Sequence, residues 1–465
     1  MSVKIWLSIT LFLLGVLRTV AAEKPNVLIL FTDDQGTLDA NCYGSKDLRT
    51  PNIDRLAKQG VRFTQAYAHA VCCPSRAGLM TGRHPQRSGV NNWTQGDRKG
   101  SDSRNTNMAA EELTIAEILR AEGYDTALFG KWHLGAKQGH GPLEQGFERF
   151  FGHYAGFIDN YRHCFLHGKG YHDLQDDHKE IFRKDEYYPD MLVDQAVDYL
   201  KQPREKPFLM VVSFNLPHYP EQPMSKFADA YSDLQMPRQS YARVVSSVDD
   251  HIGQILAQLD SIGERDDTII IFMSDNGHSA EEGSRISTEN HVSGYPKGHY
   301  YSAHGGGGNT GKWIGHKGNF LEGGIRVPAI ISYPKALPAG IVRDQAVTVM
   351  DWLPTVLELA EITQPDRVLD GRSMLPVIQD ATAQSAHPVL HFQWSNKWAV
   401  REGDWKLLGQ AGRKTKENPK PQDRITLHNL SDAKPEVKDY AKEHPDIVDR
   451  LKKLHQQWAA EVSPK

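Results

Sequence analysis

Acidic and basic side chains recur in this sequence directly after runs of β-prone apolar residues. Val27-Leu28-Ile29-Leu30-Phe31 ends in Thr32-Asp33-Asp34, and Tyr124 to Gly130 runs into Lys131-Trp132-His133. Phe208 to Phe214 ends in Asn215-Leu216-Pro217-His218, and Thr268 to Met273 in Ser274-Asp275-Asn276-Gly277. One acidic residue at a strand end is ordinarily a turn or a cap, and one histidine is ordinarily a satisfied surface or core group. Four such ends in one chain point instead to a shared rim. Asp33, Asp34, Asp275 and Asn276 form an oxygen-only donor set with no Cys2His2 spacing nearby. Hard oxygen donors suit Ca2+ or Mg2+ rather than Zn2+. Carboxylates brought together without a cation repel one another strongly, so their convergence calls for a metal.

A second signal lies between the first two of these ends: Cys72-Cys73-Pro74-Ser75-Arg76-Ala77-Gly78-Leu79-Met80-Thr81-Gly82-Arg83. A turn before a helix explains Pro74, but not Arg76 and Thr81-Gly82-Arg83 together. The residues after the cysteines are helix-compatible and place Cys72 at a helix N-terminus. There, backbone N–H groups and the positive end of the dipole favour a bound anion.

In this order, Thr32-Asp33-Asp34-Gln35, the Cys72 segment, Gly130 to Gly135, Pro217-His218, Ser274 to Gly277, Lys317 and Glu322 to Pro328 resemble the segments of formylglycine-dependent sulfatases. The likeness is to the arylsulfatase-type polysaccharide and glycosaminoglycan sulfatases of the alkaline phosphatase superfamily. Met80 stands where leucine is more usual. The resemblance implies that a formylglycine-generating or sulfatase-maturating enzyme oxidises Cys72, rather than Cys73, to formylglycine (3-oxoalanine). It implies that Asp33, Asp34, Asp275 and Asn276, with residue 72, hold Ca2+. Arg76 would steady the nucleophile, Lys131 and Lys317 would grip sulfate oxygens, and His133 and His218 would transfer protons. A hydrated aldehyde has two hydroxyls: one attacks sulfur, and the other loses a proton and collapses to the aldehyde, expelling sulfate. His218 is then expected to protonate the leaving alcohol and His133 to serve the collapse. Lys131, Lys317 and the cation offset the charge on the transferring group. The expected substrate is a sulfated carbohydrate. The alternatives are a phosphate or phosphonate ester hydrolase of the same superfamily, and a noncatalytic carbohydrate-binding relative. The latter would have no need of both the cysteine and two proton-transfer histidines.

Positioning these groups requires a sheet. Unbroken apolar runs fit strands buried on both faces, as in a parallel sheet, and open α/β sheets bind ligands at the strands' carboxyl ends. Asn52 to Gly60, Leu113 to Glu122, Asp190 to Gln202, Tyr241 to Ile262 and Asp351 to Ala360 read as helices, the last begun by an acidic cap. The expected fold class is α/β, a large mixed sheet sandwiched by helices, alkaline phosphatase-like by resemblance. Gly152 to Pro189 and Ser279 to Lys317 are irregular and are expected to rise over the same rim and carry specificity. Their Arg162, His163, His167, Arg285, Lys297, His299 and His304 suit an anionic sugar, with Tyr161, Tyr171 and Tyr301 as stacking surfaces. Val389 to Gln393, Trp398 to Arg401 and Trp405 to Leu408 read as short antiparallel strands, and Asp446 to Trp458 as a closing helix. The expected division is a catalytic domain over 23–385 and a C-terminal antiparallel-sheet plus helix subdomain over 386–465.

The 465 residues are 39% apolar and 24% charged, ordinary globular material for one large domain with a small companion. Lys4, the run Ile5 to Leu17 and the small-residue site Val20-Ala21-Ala22 read as a secretory signal peptide over 1–22, too short for a transmembrane span. Removing Lys4 and Arg18 takes the net charge from −4 to −6. The mature protein is therefore expected to be secreted or periplasmic, with no membrane span. Its mild acidity excludes general attraction to nucleic acid, so an anionic substrate must be held by a few local cations. Four cysteines, Cys42, Cys72, Cys73 and Cys164, are too few for a disulfide framework; a Cys42–Cys164 bridge remains open.

Overall fold

The computed structural model describes residues 24–94, 107–410 and 423–463. The signal peptide expected over 1–22 lies outside the described residues. The first strand, Asn26–Asp33, is buried along its whole length, and its side chains divide between two cores. Val27, Ile29 and Phe31 pack with residues of the helices Cys72–Thr81, Ile115–Ala121 and Trp352–Leu359. Leu28 and Leu30 pack with residues of Pro51–Lys58, Tyr188–Lys201 and Arg238–Ser261 on the other face. A strand alternates its side chains, so burying both faces under helices makes its sequence continuously apolar.

This strand lies inside an 11-stranded sheet. Phe208–Pro217 and Thr268–Ser274 run parallel to it on either side, and Asp125–Lys131 runs parallel beyond Phe208–Pro217. The four strands whose ends carry the chemical residues are therefore consecutive neighbours, and their carboxyl ends share one edge. Arg326–Ser332 runs antiparallel to both Thr268–Ser274 and Val61–Tyr67, which makes the sheet mixed. The fold class is α/β, with a large mixed sheet between helical layers and a separate antiparallel sheet near the C-terminus. That smaller sheet contains Val389–Trp394, Lys397–Glu402, Trp405–Gln410 and Arg424–Asn429, backed by the helix Pro445–Val462.

Several local expectations are corrected. Asp351 does not cap the helix Trp352–Leu359. Its carboxylate accepts from the backbone N–H of Thr348, closing a capping box on the 3-10 turn Val349–Asp351, and also meets Arg372 N and His387 Nε2. Gly152 to Pro189 contains four two-residue strands, Cys164–Phe165, Tyr171–His172, Gln175–Asp176 and Lys179–Glu180, too short to leave a period in the sequence. Arg424–Asn429 is half-exposed and so gave no apolar run to read. All four cysteines are free, so Cys42 and Cys164 are not bridged.

The two sheets meet over a buried ionic cluster. Lys406, fully buried, donates to Glu322 Oε1 and Glu436 Oε1, both at 2.8 Å. Glu322 Oε2 accepts from Tyr67 Oη at 2.7 Å and Arg326 at 3.2 Å. Removing the ammonium would leave two buried carboxylates without their shared cation, and breaking a buried pair in this way costs about 3–5 kcal/mol. Lys406→Ala is therefore expected to lower the midpoint of chemical unfolding by a corresponding amount; a midpoint equal to wild type would show that the cluster does not hold the sheets.

Candidate functional site

Asp33, Asp34, Asp275 and Asn276 are all buried at the shared edge. In a continuing strand Asp33 and Asp34 would point to opposite faces, but Asp34 takes a left-handed φ of 65° and breaks the alternation. Ligand atoms of Asp33, Asp34 and His218 then lie within 4.8 Å of one another, as do those of Asp33, Cys72 and Asp275. The Asp34 backbone N–H donates to Asp275 Oδ1 at 3.2 Å, and Asn276 Nδ2 to Asp34 Oδ1 at 2.6 Å. Burial raises Asp33 and Asp34 to about 6 and Asp275 to about 7; neighbouring carboxylates add to this, while Lys131, Lys317 and Arg76 oppose it. Asp33 Oδ1 and Asn276 Oδ1 are buried with no hydrogen-bond partner among the described residues. Orphaned oxygens within a carboxylate cluster fit a hard oxygen-seeking cation such as Ca2+.

Each carboxylate also accepts a hydrogen bond from one cation, and Arg76 lies 3.8 Å from Asp33 as well. Lys131 Nζ donates to Asp33 Oδ2 at 2.5 Å, Lys317 Nζ to Asp34 Oδ2 at 2.9 Å, and Arg76 to Asp275 Oδ2 at 2.8 Å. Burial disfavours the Lys317 ammonium, but the facing carboxylates, Asp34 first, outweigh it and raise its pKa. Arg76 further bonds Ser213 Oγ and the Lys131 carbonyl, the latter at 3.2 Å. Gly130 is what permits this close approach: a Cβ there would sit 1.9 Å from the Ser213 carbonyl oxygen, and its φ is +120°.

Cys72 is the first residue of the helix Cys72–Thr81, and its Sγ lies 3.3 Å from His133 Nδ1. His133 Nε2 is 3.1 Å from the Thr94 carbonyl. A carbonyl only accepts, so Nε2 carries the proton and Nδ1 turns its lone pair to residue 72. Burial pushes His133 down to about 4, which keeps the ring neutral. His218 donates from Nδ1 to the Tyr219 carbonyl at 2.6 Å, leaving Nε2 3.7 Å from Asp34 Oδ2. Burial, then Lys317 and Lys131, holds His218 well below the ordinary imidazole range. The Cys72 thiol is drawn well below its usual value by a hydrogen bond from Cys73, with help from Lys131, His133 and Lys317, whereas burial pushes Cys73 up. The structure thus brings together Asp33, Asp34, Cys72, Arg76, Lys131, His133, His218, Asp275, Asn276 and Lys317.

Cys72, His133, His218 and Lys317 open onto a cavity of about 220 Å³. Of the residues expected to shape substrate choice, His167 and Tyr171 line it; the rest do not. Arg162 pairs with Asp185, and Lys297 with Glu289. His163 is buried with Nε2 on the Glu186 carbonyl, and Tyr161 packs against Tyr187. Arg285 lies over Tyr300, His304 bonds the same tyrosine, His299 stacks on Tyr295, and Tyr301 is buried beside Tyr219. Trp93, Phe157, Tyr219 and Glu281 line the cavity instead. Adjacency to His218 could have found Tyr219, but no local pattern marks the other three. The smaller sheet also reaches the rim. Trp394 packs edge-to-face on Trp93 at 4.9 Å, and Lys397 Nζ donates to the Gly318 carbonyl at 3.0 Å.

Comparison with known proteins gives a sulfatase family model matching residues 25–362, and a second, described as N-sulphoglucosamine sulphohydrolase, C-terminal, matching 312–417. Human steryl-sulfatase is 31% identical over 473 residues, covering 84% of this chain and 76% of that protein. N-acetylgalactosamine-6-sulfatase of Canis lupus familiaris is 30% identical over 403 residues, covering 83% and 72%. A crystal structure of Ps i-CgsB in complex with k-i-k-neocarrahexaose superposes with a TM-score of 0.78 at 27% identity, covering 94% of this chain and 93% of that one.

The two adjacent cysteines differ enough to be told apart chemically. In protein isolated with both thiols intact, a small alkylating reagent at neutral pH is expected to label Cys72, which opens onto the cavity, well before Cys73. Peptide masses report the order, and prior labelling of Cys73 would contradict this account.

Proposed function

Because this chain belongs to the sulfatase family, and is thereby a sulfuric ester hydrolase, we propose that it is an exported, Ca2+-dependent enzyme acting on a sulfated carbohydrate through a formylglycine made from Cys72. The observation that carries this reading is the convergence of buried carboxylates, two lysines and two histidines on the first turn of the Cys72 helix. Export rests on the signal-like segment over 1–22, and maturation needs a formylglycine-generating or sulfatase-maturating enzyme. No helix among the described residues is long and apolar enough to cross a membrane. We also assign 23–385 to the catalytic domain and 386–465 to the companion subdomain. Two of the three relatives named above support a carbohydrate, N-acetylgalactosamine-6-sulfatase and Ps i-CgsB with its neocarrahexaose, whereas steryl-sulfatase names a sterol.

When formed, formylglycine supplies a hydrate with one hydroxyl to attack sulfur and a second whose deprotonation releases sulfate. When bound, Ca2+ held by Asp33, Asp34, Asp275, Asn276 and residue 72 supplies positive charge where anionic oxygen develops. The chain's own residues do the rest. Lys131 and Lys317, now folded onto Asp33 and Asp34, swing to the sulfate oxygens and clamp them. Arg76 stays on Asp275 and Ser213 and keeps that carboxylate oriented. His133 Nδ1, with its lone pair already facing residue 72, accepts a proton from that side chain. His218, anchored through Nδ1 by the Tyr219 carbonyl, presents Nε2 to the leaving oxygen as a proton donor. Burial first, then Lys317 and Lys131, depresses His218; the negative charge of a bound sulfate ester counters the two lysines and so favours protonation of Nε2.

The test begins with the mass of the peptide spanning Cys72, where conversion of thiol to aldehyde is diagnostic. Nitrophenyl sulfate is expected to be hydrolysed in preference to nitrophenyl phosphate, and Cys72→Ala to lower turnover by about 10⁴-fold or more. Chelation should stop the reaction and Ca2+ restore it better than Mg2+. Preference for the phosphate ester would favour the phosphate or phosphonate hydrolase instead, and no turnover of either ester the carbohydrate-binding relative.

The leaving group separates the two histidines. His218→Ala is expected to slow sugar or alkyl sulfates by about 10²–10⁴-fold while nitrophenyl sulfate, whose phenolate departs with little help, loses far less. His133→Ala is expected to accumulate a sulfated protein visible by intact mass. Equal losses on both leaving groups, with no sulfated species, would refute these roles.

A further inference from the structure

The roles above leave Glu281 and His167, two ionisable groups of the cavity, without a task. Glu281 lines the same cavity as Cys72, His218 and Lys317. Its Oε1 stands 4.0 Å from His167 Nε2 and accepts from Ser284 Oγ at 3.5 Å, and burial first, then its negative charge, pushes the Tyr219 phenol up. Tyr219 Oη also lies 3.5 Å from His167 Nε2, so the three side chains form one polar cluster on the cavity wall. Glu281 and His167 remain 44% and 42% exposed, enough to meet a ligand.

The cluster's place relative to the reacting bond follows from chain order and ring contacts. Tyr219 directly follows His218, and the two rings are 4.2 Å apart. Phe157 stacks on His218 at 5.4 Å and meets Tyr219 edge-to-face at 4.8 Å. If His218 protonates the departing oxygen, the alcohol carrying that oxygen lies against this wall. It meets an aromatic surface and, beside it, a carboxylate. A carboxylate accepts hydrogen bonds and cannot donate, so it pairs with a hydroxyl of the alcohol. A second sulfate or carboxylate on the alcohol would meet like charge in a confined space. Burial holds His167 below its ordinary value, so a neutral imidazole does not cancel that charge. The arginines and lysine expected from sequence to receive an anionic sugar, Arg162, Arg285 and Lys297, do not line the cavity.

We propose that Glu281, beside Tyr219 and His167 on the cavity wall, is a specificity-determining residue that binds a hydroxyl next to the scissile ester and selects singly sulfated alcohols over those bearing a second anion there. The inference rests on the sulfatase reading. It names the substrate class as an alcohol with a neutral, hydroxyl-bearing neighbourhood around one sulfate.

Aryl probes test this without knowledge of the sugar. Matured wild-type protein and Glu281→Gln are compared on catechol monosulfate, which has a free hydroxyl beside the ester, and on catechol disulfate, by sulfate release, with nitrophenyl sulfate measured alongside on the wild type. Wild type is expected to favour the monosulfate. In Glu281→Gln, which keeps the size and loses the charge, the monosulfate-to-disulfate ratio of kcat/KM is expected to fall about tenfold, chiefly through KM. Glu281→Asp is expected to retain part of the discrimination, and added salt to narrow the ratio in wild type. Because the ratio is internal to each preparation, a partly unfolded variant does not disturb it. An unchanged ratio in Glu281→Gln, with nitrophenyl sulfate hydrolysed by wild type, overturns this inference alone. Wild type inert toward every sulfate ester refutes the sulfatase reading and this inference with it.

Discussion

Three carboxylates buried at one sheet edge cannot all stay ionised unless something positive stands among them, and most of the site is arranged to meet that requirement. Asp33, Asp34 and Asp275 are each matched by one cation, Lys131, Lys317 and Arg76, at 2.5, 2.9 and 2.8 Å. Burying ions is costly, and pairing recovers that cost only where geometry and further hydrogen bonds are good. The balance has a chemical consequence. A divalent cation and the single negative charge of a sulfate ester would together add one positive charge, which the three carboxylates could take up while the pocket's own ions merely change partners. On the proposed mechanism Lys131 and Lys317 would exchange a carboxylate for the anion, and Asp33 and Asp34 an ammonium for the metal. The proposed conversion of the Cys72 thiol to an uncharged aldehyde would keep that side chain out of the balance.

The same requirement explains which parts of the fold were legible. Bringing the charges together takes adjacent parallel strands ending at one edge, and strands buried on both faces write themselves as unbroken apolar runs. Asp33, Asp34, His218, Asp275 and Asn276 were therefore visible as polar interruptions after Leu28, Val212 and Ile271 and their neighbours, which are fully buried. Arg76 and Lys317 follow no strand and could be placed only through resemblance. Backbone conformation left no trace at all. Asp34 and His133 both adopt left-handed φ, 65° and 54°, although neither is glycine, and in Asp34 that twist turns two consecutive carboxylates toward one site. Strain of this kind is maintained by surrounding contacts, which a local pattern does not record.

Legibility failed most at the substrate wall. In Gly152 to Pro189 and Ser279 to Lys317, polar and aromatic residues suggested an anionic sugar, yet most of them satisfy one another. Arg162 meets Asp185, His299 covers Tyr295, and His304 meets Tyr300. Long loops contain many unpaired backbone and side-chain groups, and nearby polar residues are the first to satisfy them. Glu281 carries no signal in the sequence, because an acidic residue in such a loop reads as solvated. Its place on the cavity wall beside Tyr219 and His167, which are distant in sequence, arises only in the folded chain.

The smaller sheet belongs to the same chain of constraint. Lys406 holds Glu322, and Glu322 in turn receives Arg326 and Tyr67 of the large sheet. Lys397 bonds the carbonyl of Gly318. These contacts fix both ends of the stretch 318–322, immediately after Lys317, and Lys317 N itself bonds the His278 carbonyl just beyond Asp275-Asn276. A lysine on a loop would otherwise pay a large entropic cost to hold one position beside Asp34. Here the loop is tied on one side to the strand that ends in Asp275-Asn276 and on the other to a second sheet, which also brings Trp394 to the rim beside Trp93. The C-terminal sheet thus places one of the two lysines that face the carboxylates, and the electrostatic balance of the site depends on a structure formed more than sixty residues later in the chain.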